Sequence, residues 1–405
     1  MLDTKKPERY ANMIPMAELD TTEKRLSPFP VYNQLRRTTP VRYDGSRSCW
    51  DVFRYEDALR VLKDPAGFSS RRGLAGDETE TILTMDPPRH GPLRALVNKA
   101  FTPKVVSNLE PHIRSIADEL LDAKRSGGAM DIVGDLTVPL PVIVIAELLG
   151  VPAKDRDLFK AWSDALVMGL DENTDEAFAR VSAEKARTIA ELQAYFAGIL
   201  REHRERPQED LISLLIAAEI DGQKLTDAEI VGFSMLLLAA GNETTTNLIA
   251  NAVRILTEQP DLQPLLRRSP ETIPSFVEET LRYYPPIQAI GRVCAQDAEL
   301  GGERIRAGEQ VVVWVASANR DESKFDDPDA FVPDRKPNQH LSFGSGIHFC
   351  LGAPLARLEA QIALRAVVER MEEIRRAADA PMNPIQSPFV FGVQSFPVTF
   401  RASGR

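Results

Sequence analysis

The sequence predicts a mainly α chain with minor β-structure, organised as one domain over residues 1–405. Three observations predict it. From about 88 to 285, apolar residues recur at intervals of three and four, punctuated by Pro and Gly. From 287 to 335 the pattern changes, and IGRV, VVVWV and the turns GGER and RAGEQ read as short β-structure. No linker-like stretch divides the chain, although length by itself argues for two or three domains.

Taken in order, the first 60 residues read as turns with short strand-like pieces such as CWDVFRY. LTDAEIVGFSMLLLAAGNETTTNLIANAVRILTEQP reads as one long helix. Thr226 and Glu229 form a capping box at its start, and Pro260 stops it. At ~1.5 Å per residue it spans about 50 Å, enough to cross the molecule. From Ile230 to Ala240 it is almost wholly apolar, which predicts burial nearly all round. GNETTT then interrupts it with poor helix formers and a Glu, which predicts a local opening. After Cys350 a helix returns, with Leu351, Leu355, Leu358 and Ile362 along one face. The tail PFVFGVQSFPVTF reads as strand and turn.

Composition excludes several classes. The net charge of −10 argues against a nucleic-acid partner. The N-terminal MLDTKKPERYANMIP lacks the apolar core of a signal peptide. The most apolar stretch, VPLPVIVIAELLGVP, is broken by prolines and Glu147, so no membrane span is expected. Cys49, Cys294 and Cys350 are far apart, with no disulfide framework or CxxC pair, which fits a reducing, cytoplasmic setting.

A lone cysteine is ordinarily a small buried hydrophobe, and that reading stands for Cys49 and Cys294. Cys350 differs. It lies in FGSGIHFCLG, where glycines let the backbone approach something large and flat. A helix starts just after it, with Pro354 in the first turn, and its free N–H groups and dipole favour a thiolate. No Cys or His partner stands at zinc spacing, so this thiolate points to a single axial ligand of haem iron.

FGSGIHFCLG resembles the haem-binding signature of the cytochrome P-450 superfamily at Phe343, Gly344, Gly346, His348, Cys350 and Gly352. The resemblance spans roughly residues 30 to 400 and implies the family's prism-shaped fold, with haem b (iron protoporphyrin IX) as cofactor. It makes Cys350 the iron ligand, puts Phe343 beside the thiolate, and carries His348 to a propionate. GNETTT resembles the oxygen-activation motif, which implies Glu243 and Thr244 as an acid–alcohol pair for proton delivery. Glu279 and Arg282 of VEETLRYYPP, with Arg335 of FVPDR, match a buried structural network behind the haem. His90 and Arg94 of DPPRHGPLR, and Arg292 of IGRV, match propionate ligands. Pro92 between His90 and Arg94 requires the helix to begin near Pro88.

The resemblance implies a monooxygenase that hydroxylates or epoxidises a hydrophobic small molecule with O2. A ferredoxin and an NAD(P)H-dependent ferredoxin reductase would supply electrons, meeting a basic face that includes Arg94, Lys99 and Arg357. An H2O2-driven peroxygenase and a haem-binding sensor or carrier are the alternatives. By family position the pocket comprises Ile82, Leu83, Leu236, Ala239, Ala240, Ile287, Ala289, Ile290, Phe389 and Val390. These residues are apolar, so the expected substrate is a fatty acid, terpenoid, steroid or macrolide-like compound. Residues 160–190 are expected to form a lid.

Overall fold

In the computed structural model, the structure describes residues 15–71, 81–168, 174–220 and 222–403. The lid expectation therefore falls partly outside the described residues. Among them, helices predominate, with four small sheets.

The opening residues hold more helix than the sequence reading expected. Phe29–Thr38 and Tyr55–Lys63 are both helical. Their buried residues, Phe29, Tyr32, Leu35 and Arg36, then Tyr55, Ala58, Val61 and Leu62, do follow the helical period. Arginines and other charged residues dilute that period, and Arg36 is itself buried against Ser317 and Glu322. The reading of CWDVFRY as a strand holds for Cys49–Val52.

The main sheet has five strands in the order Val41–Asp44, Cys49–Val52, Gln310–Val313, Ile290–Cys294, Phe68–Ser69. Gln310–Val313 runs parallel to Cys49–Val52 and antiparallel to Ile290–Cys294, with Val311 opposite Arg292. That register sets the position of Arg292. A second sheet joins Met371–Arg376, Pro397–Ala402 and Ala129–Asp131, so the tail does end in a strand.

The long helix runs from Asp227 to Glu258, with both halves of the Thr226–Glu229 capping box formed. At ~1.5 Å per residue this is about 48 Å. It packs against the helices Pro139–Leu148, Arg156–Val167, Asp175–Glu205 and Ala353–Arg370.

Two expectations for the long helix are corrected. The apolar front is not buried all round: Ile230, Phe233, Ser234, Leu237 and Leu238 are buried, while Val231, Met235, Leu236 and Ala239 face a cavity. Instead every residue from Thr245 to Leu256 is buried. GNETTT does not open the helix either, since the α-helix continues through it. Thr244 fits because its hydroxyl donates to the Ala240 carbonyl at 2.7 Å, using the helix as its own acceptor.

Candidate active site

The loop around Cys350 is shaped by its glycines. Gly344 and Gly346 have φ of 70° and 71°, the left-handed region. A Cβ on Gly346 would stand 2.8 Å from the Leu62 carbonyl oxygen, so only glycine lets the loop lie against that helix. The Cys350 amide donates to the Phe343 carbonyl at 2.9 Å and closes the loop. The helix Ala353–Arg370 follows at once, with Pro354 in its first turn. Burial pushes the Cys350 thiol up, while the Gly352 and Ala353 amides and the nearby Arg94 and Arg357 pull it down.

Behind the loop, Glu279 and Arg282 are fully buried and pair through two hydrogen bonds of 2.7 and 2.8 Å. Arg335 donates to both Glu279 oxygens at 3.0 and 3.2 Å. Arg282 also donates to the carbonyls of Asn319, Pro328 and Ala330. All three residues predicted for the network meet in it.

A second cluster was missed from sequence. Arg357 donates to both Glu278 oxygens at 2.6 and 2.9 Å, and His340 approaches the same carboxylate at 3.2 Å. Burial pushes Glu278 up, but His340 and Arg357 outweigh it and hold the carboxyl at about 2. The Arg357 guanidinium also lies 4.5 Å from the centre of the Phe343 ring. The only signal was the Glu immediately before Glu279, which reads as an ordinary exposed helix residue.

The predicted propionate ligands converge. The helix carrying His90 and Arg94 starts at His90, so Pro92 falls in its first turn and is tolerated. The His90 and His348 rings lie 4.4 Å apart, and the Nε2 atom of each is buried without a hydrogen-bond partner among the described residues. Desolvation, then Arg292 and His90, push His348 down to about 4. Desolvation and Arg94 also lower His90. Asp86 opposes this on both rings but already accepts from Ser69 and Ser70. Arg94 donates to the Phe349 carbonyl at 2.7 Å.

On the other side of the site, Asn247 donates to the Glu243 carbonyl at 2.7 Å and to its Oε1 at 3.1 Å. Desolvation raises the Glu243 carboxyl, Asn247 opposes this, and Asp164 and Lys160 act on it with opposite signs. Those two pair at 2.7 Å on the helix Arg156–Val167. Asn247 was also missed; it stands one helical turn beyond Glu243, the spacing at which helix side chains meet.

A cavity of about 1350 Å³ lies beside the long helix. Of the predicted pocket residues, Ile82, Leu236 and Ala239 line it. Leu83 is 45% exposed, and Ala240 is exposed one residue beyond Ala239. Ile287 and Val390 pair through an isolated bridge, and Phe389 packs on the main core. Ala289 is buried in the main core, and Ile290 packs against the small core under the five-stranded sheet. The last five are thus not brought into this cavity. Of the residues read as a basic face, Lys99 donates to the Glu219 carbonyl and Arg357 is held by Glu278.

A mainly helical body with small sheets, and a cysteine in a glycine loop at a helix start, define a haem-thiolate class of protein. A sequence model described as Cytochrome P450 matches residues 7–398, and the chain belongs to that family. Its members are haem-thiolate monooxygenases. Cytochrome P450 109 of Bacillus spizizenii is 54% identical over 97% of this chain and 96% of its own. Cyclomarin C epoxidase CymV of Salinispora arenicola is 44% identical over 91% of this chain and 94% of its own. The crystal structure of CYP109E1 from Bacillus megaterium with corticosterone matches with a TM-score of 0.86 at 46% identity, covering 94% of this chain and 100% of that one. No helix among the described residues is long and apolar enough to cross a membrane.

Proposed function

We propose that this monooxygenase works as one domain in the cytoplasm and holds haem b. It hydroxylates or epoxidises a hydrophobic small molecule, with O2 and electrons from a ferredoxin and an NAD(P)H-dependent ferredoxin reductase. The observation that carries the reading is the Cys350 loop, with amide groups aimed at Sγ, beside a cluster of His90, His348, Arg94 and Arg292. Two buried imidazoles with unmet Nε2 atoms suit an acidic group such as a propionate pair.

When bound, the haem supplies oxygen activation and atom transfer. The chain's own residues then have distinct tasks. Cys350 would ligate the iron, and Phe343 and Gly352 would shape the space around Sγ. The Glu279–Arg282–Arg335 network would keep that loop in place. Glu243, whose carboxyl burial raises, would carry the proton, and the adjacent Thr244 hydroxyl would pass it on after leaving the Ala240 carbonyl. Apolar walls at Ile82, Leu236 and Ala239 would admit substrate and limit water. The corticosterone complex of a relative and the epoxidase activity in another's name support a bulky apolar substrate and either outcome of oxygen transfer.

The test is the carbon monoxide difference spectrum of the dithionite-reduced protein. We expect the red-shifted band of a thiolate-ligated haem, lost in Cys350→His. Haem binding without that band removes the thiolate assignment, and absence of haem uptake overturns the reading.

A further inference from the structure

We infer that Asn247 is a positioning residue for Glu243, and that the tail of the chain locks it in place through Gly392. This deepens the reading of Glu243 as the proton carrier and rests on it.

Glu243, Asn247 and Asn251 stand four residues apart on the long helix, so they share one face. Both asparagines are fully buried, which is costly for an amide without partners. Asn251 has them: its Nδ2 donates to the carbonyls of Tyr284 and Phe391 at 3.1 and 3.3 Å, and so clamps the tail to the helix. Asn247 directs its Nδ2 to the Glu243 carbonyl and Oε1. That carbonyl is already the helical acceptor for the Asn247 backbone N–H, so the bond to Oε1 is what the side chain adds. Reversing the amide would set Oδ1 against two acceptors, which fixes the donor toward Glu243.

Gly392 keeps the amide from swinging away. A Cβ there would stand 1.7 Å from Asn247 Oδ1 and 2.5 Å from its Cγ. The φ of Gly392 lies outside the left-handed region, so the close approach, not the backbone conformation, requires glycine. Asn247 Oδ1 has no hydrogen-bond partner among the described residues, so contact rather than a bond holds that side of the amide. The tail is itself anchored here. The Phe391 amide donates to the Pro286 carbonyl at 2.8 Å, and the Ile385 amide to the Gly392 carbonyl at 3.2 Å. The Glu243 carboxyl is thus held in one orientation by a donor that favours its ionised form. Desolvation raises Glu243 and Asn247 opposes it, while Asp164 and Lys160 on the facing helix act with opposite signs. Removing the Asn247 donor leaves burial less opposed and moves Glu243 up.

The test is pH-difference infrared spectroscopy of the haem-loaded protein, with the Glu243 carboxyl band identified by its absence in Glu243→Gln. We expect Asn247→Ala and Gly392→Ala each to move the midpoint of that band to higher pH. Added to Asn247→Ala, Gly392→Ala should move it no further, because the side chain it displaces is gone. In corticosterone turnover, both single variants should lower kcat about tenfold and leave KM within about twofold. The infrared measurement needs no substrate and decides without turnover. The thiolate carbonyl band reports folding, and if Gly392→Ala loses that band, Asn247→Ala decides. A midpoint that Asn247→Ala leaves in place, additive shifts from the two changes, or an unchanged kcat overturns the proposal and leaves the monooxygenase reading standing. Turnover by Glu243→Gln at the wild-type rate overturns the proton-carrier reading, and the proposal with it.

Discussion

The long helix divides a closed rear from an open front. At the rear, Thr245 to Leu256 are buried without a gap, and the Glu279–Arg282–Arg335 network meets its needs internally. At the front, Val231, Met235, Leu236 and Ala239 are equally suited to a core, yet they border a cavity of about 1350 Å³. One side is packed shut, and the other leaves open space beside the helix. The same hydrophobicity serves both, so apolar character does not distinguish packed core from ligand wall.

The largest expected effect tests the closed rear. Arg282→Leu leaves Glu279 without its fully buried partner and with Arg335 as its remaining arginine. It should cost about 3–5 kcal/mol in chemical denaturation and lower haem retention. A loss below 1 kcal/mol would show that the rear is not held by this network.

A second test concerns an anomaly of the closed side. Glu359, on the helix Ala353–Arg370, is 1% exposed, and its Oε2 has no hydrogen-bond partner among the described residues. Burial raises its carboxyl to about 8. Between the ordinary carboxylate range and about 8, the folded state binds the proton and the unfolded chain does not, so this group's contribution falls as pH rises. Glu359→Gln should flatten that loss and raise stability at pH 8 by on the order of a few kcal/mol, with little change at pH 5, as read by urea melts.

At the boundary of the two sides, Glu243→Gln should slow product formation about 10²-fold. Substrate affinity, read from the absorbance shift, should stay within twofold of wild type (about 0.4 kcal/mol). A matching loss of affinity would make Glu243 a binding group.

The smallest effects sharpen the comparison most directly. Ala252→Phe, in the closed half, should destabilise by about 1–3 kcal/mol through overpacking. Ala239→Phe, in the open half, should cost under about 1 kcal/mol in stability yet weaken substrate binding about tenfold. Equal destabilisation by both would show that the front is core.

Much of the site was legible because its signals are local. FGSGIHFCLG carries its own glycines, cysteine and helix start, and the Thr226–Glu229 box and the Glu279–Arg282 pair sit at fixed helix spacings. The opening helices were missed because charged residues dilute their apolar period, as Arg36 shows by being buried through partners nearly 300 positions away. The Glu278–His340–Arg357 cluster spans 79 residues, and no short pattern announces it. Ile290 was placed in the pocket by family position, but the strand pairing turns it to the small core under the sheet.

By itself, the sequence determined the haem-thiolate family, the α-rich class, the ligand loop and the long helix with its start. Each rests on residues within one or two turns of each other, where backbone geometry decides who meets whom. Only the tertiary structure decided which apolar face stays open and which buried acids find partners. Burial and pairing depend on every element that packs around a residue, and those elements come from distant parts of the chain.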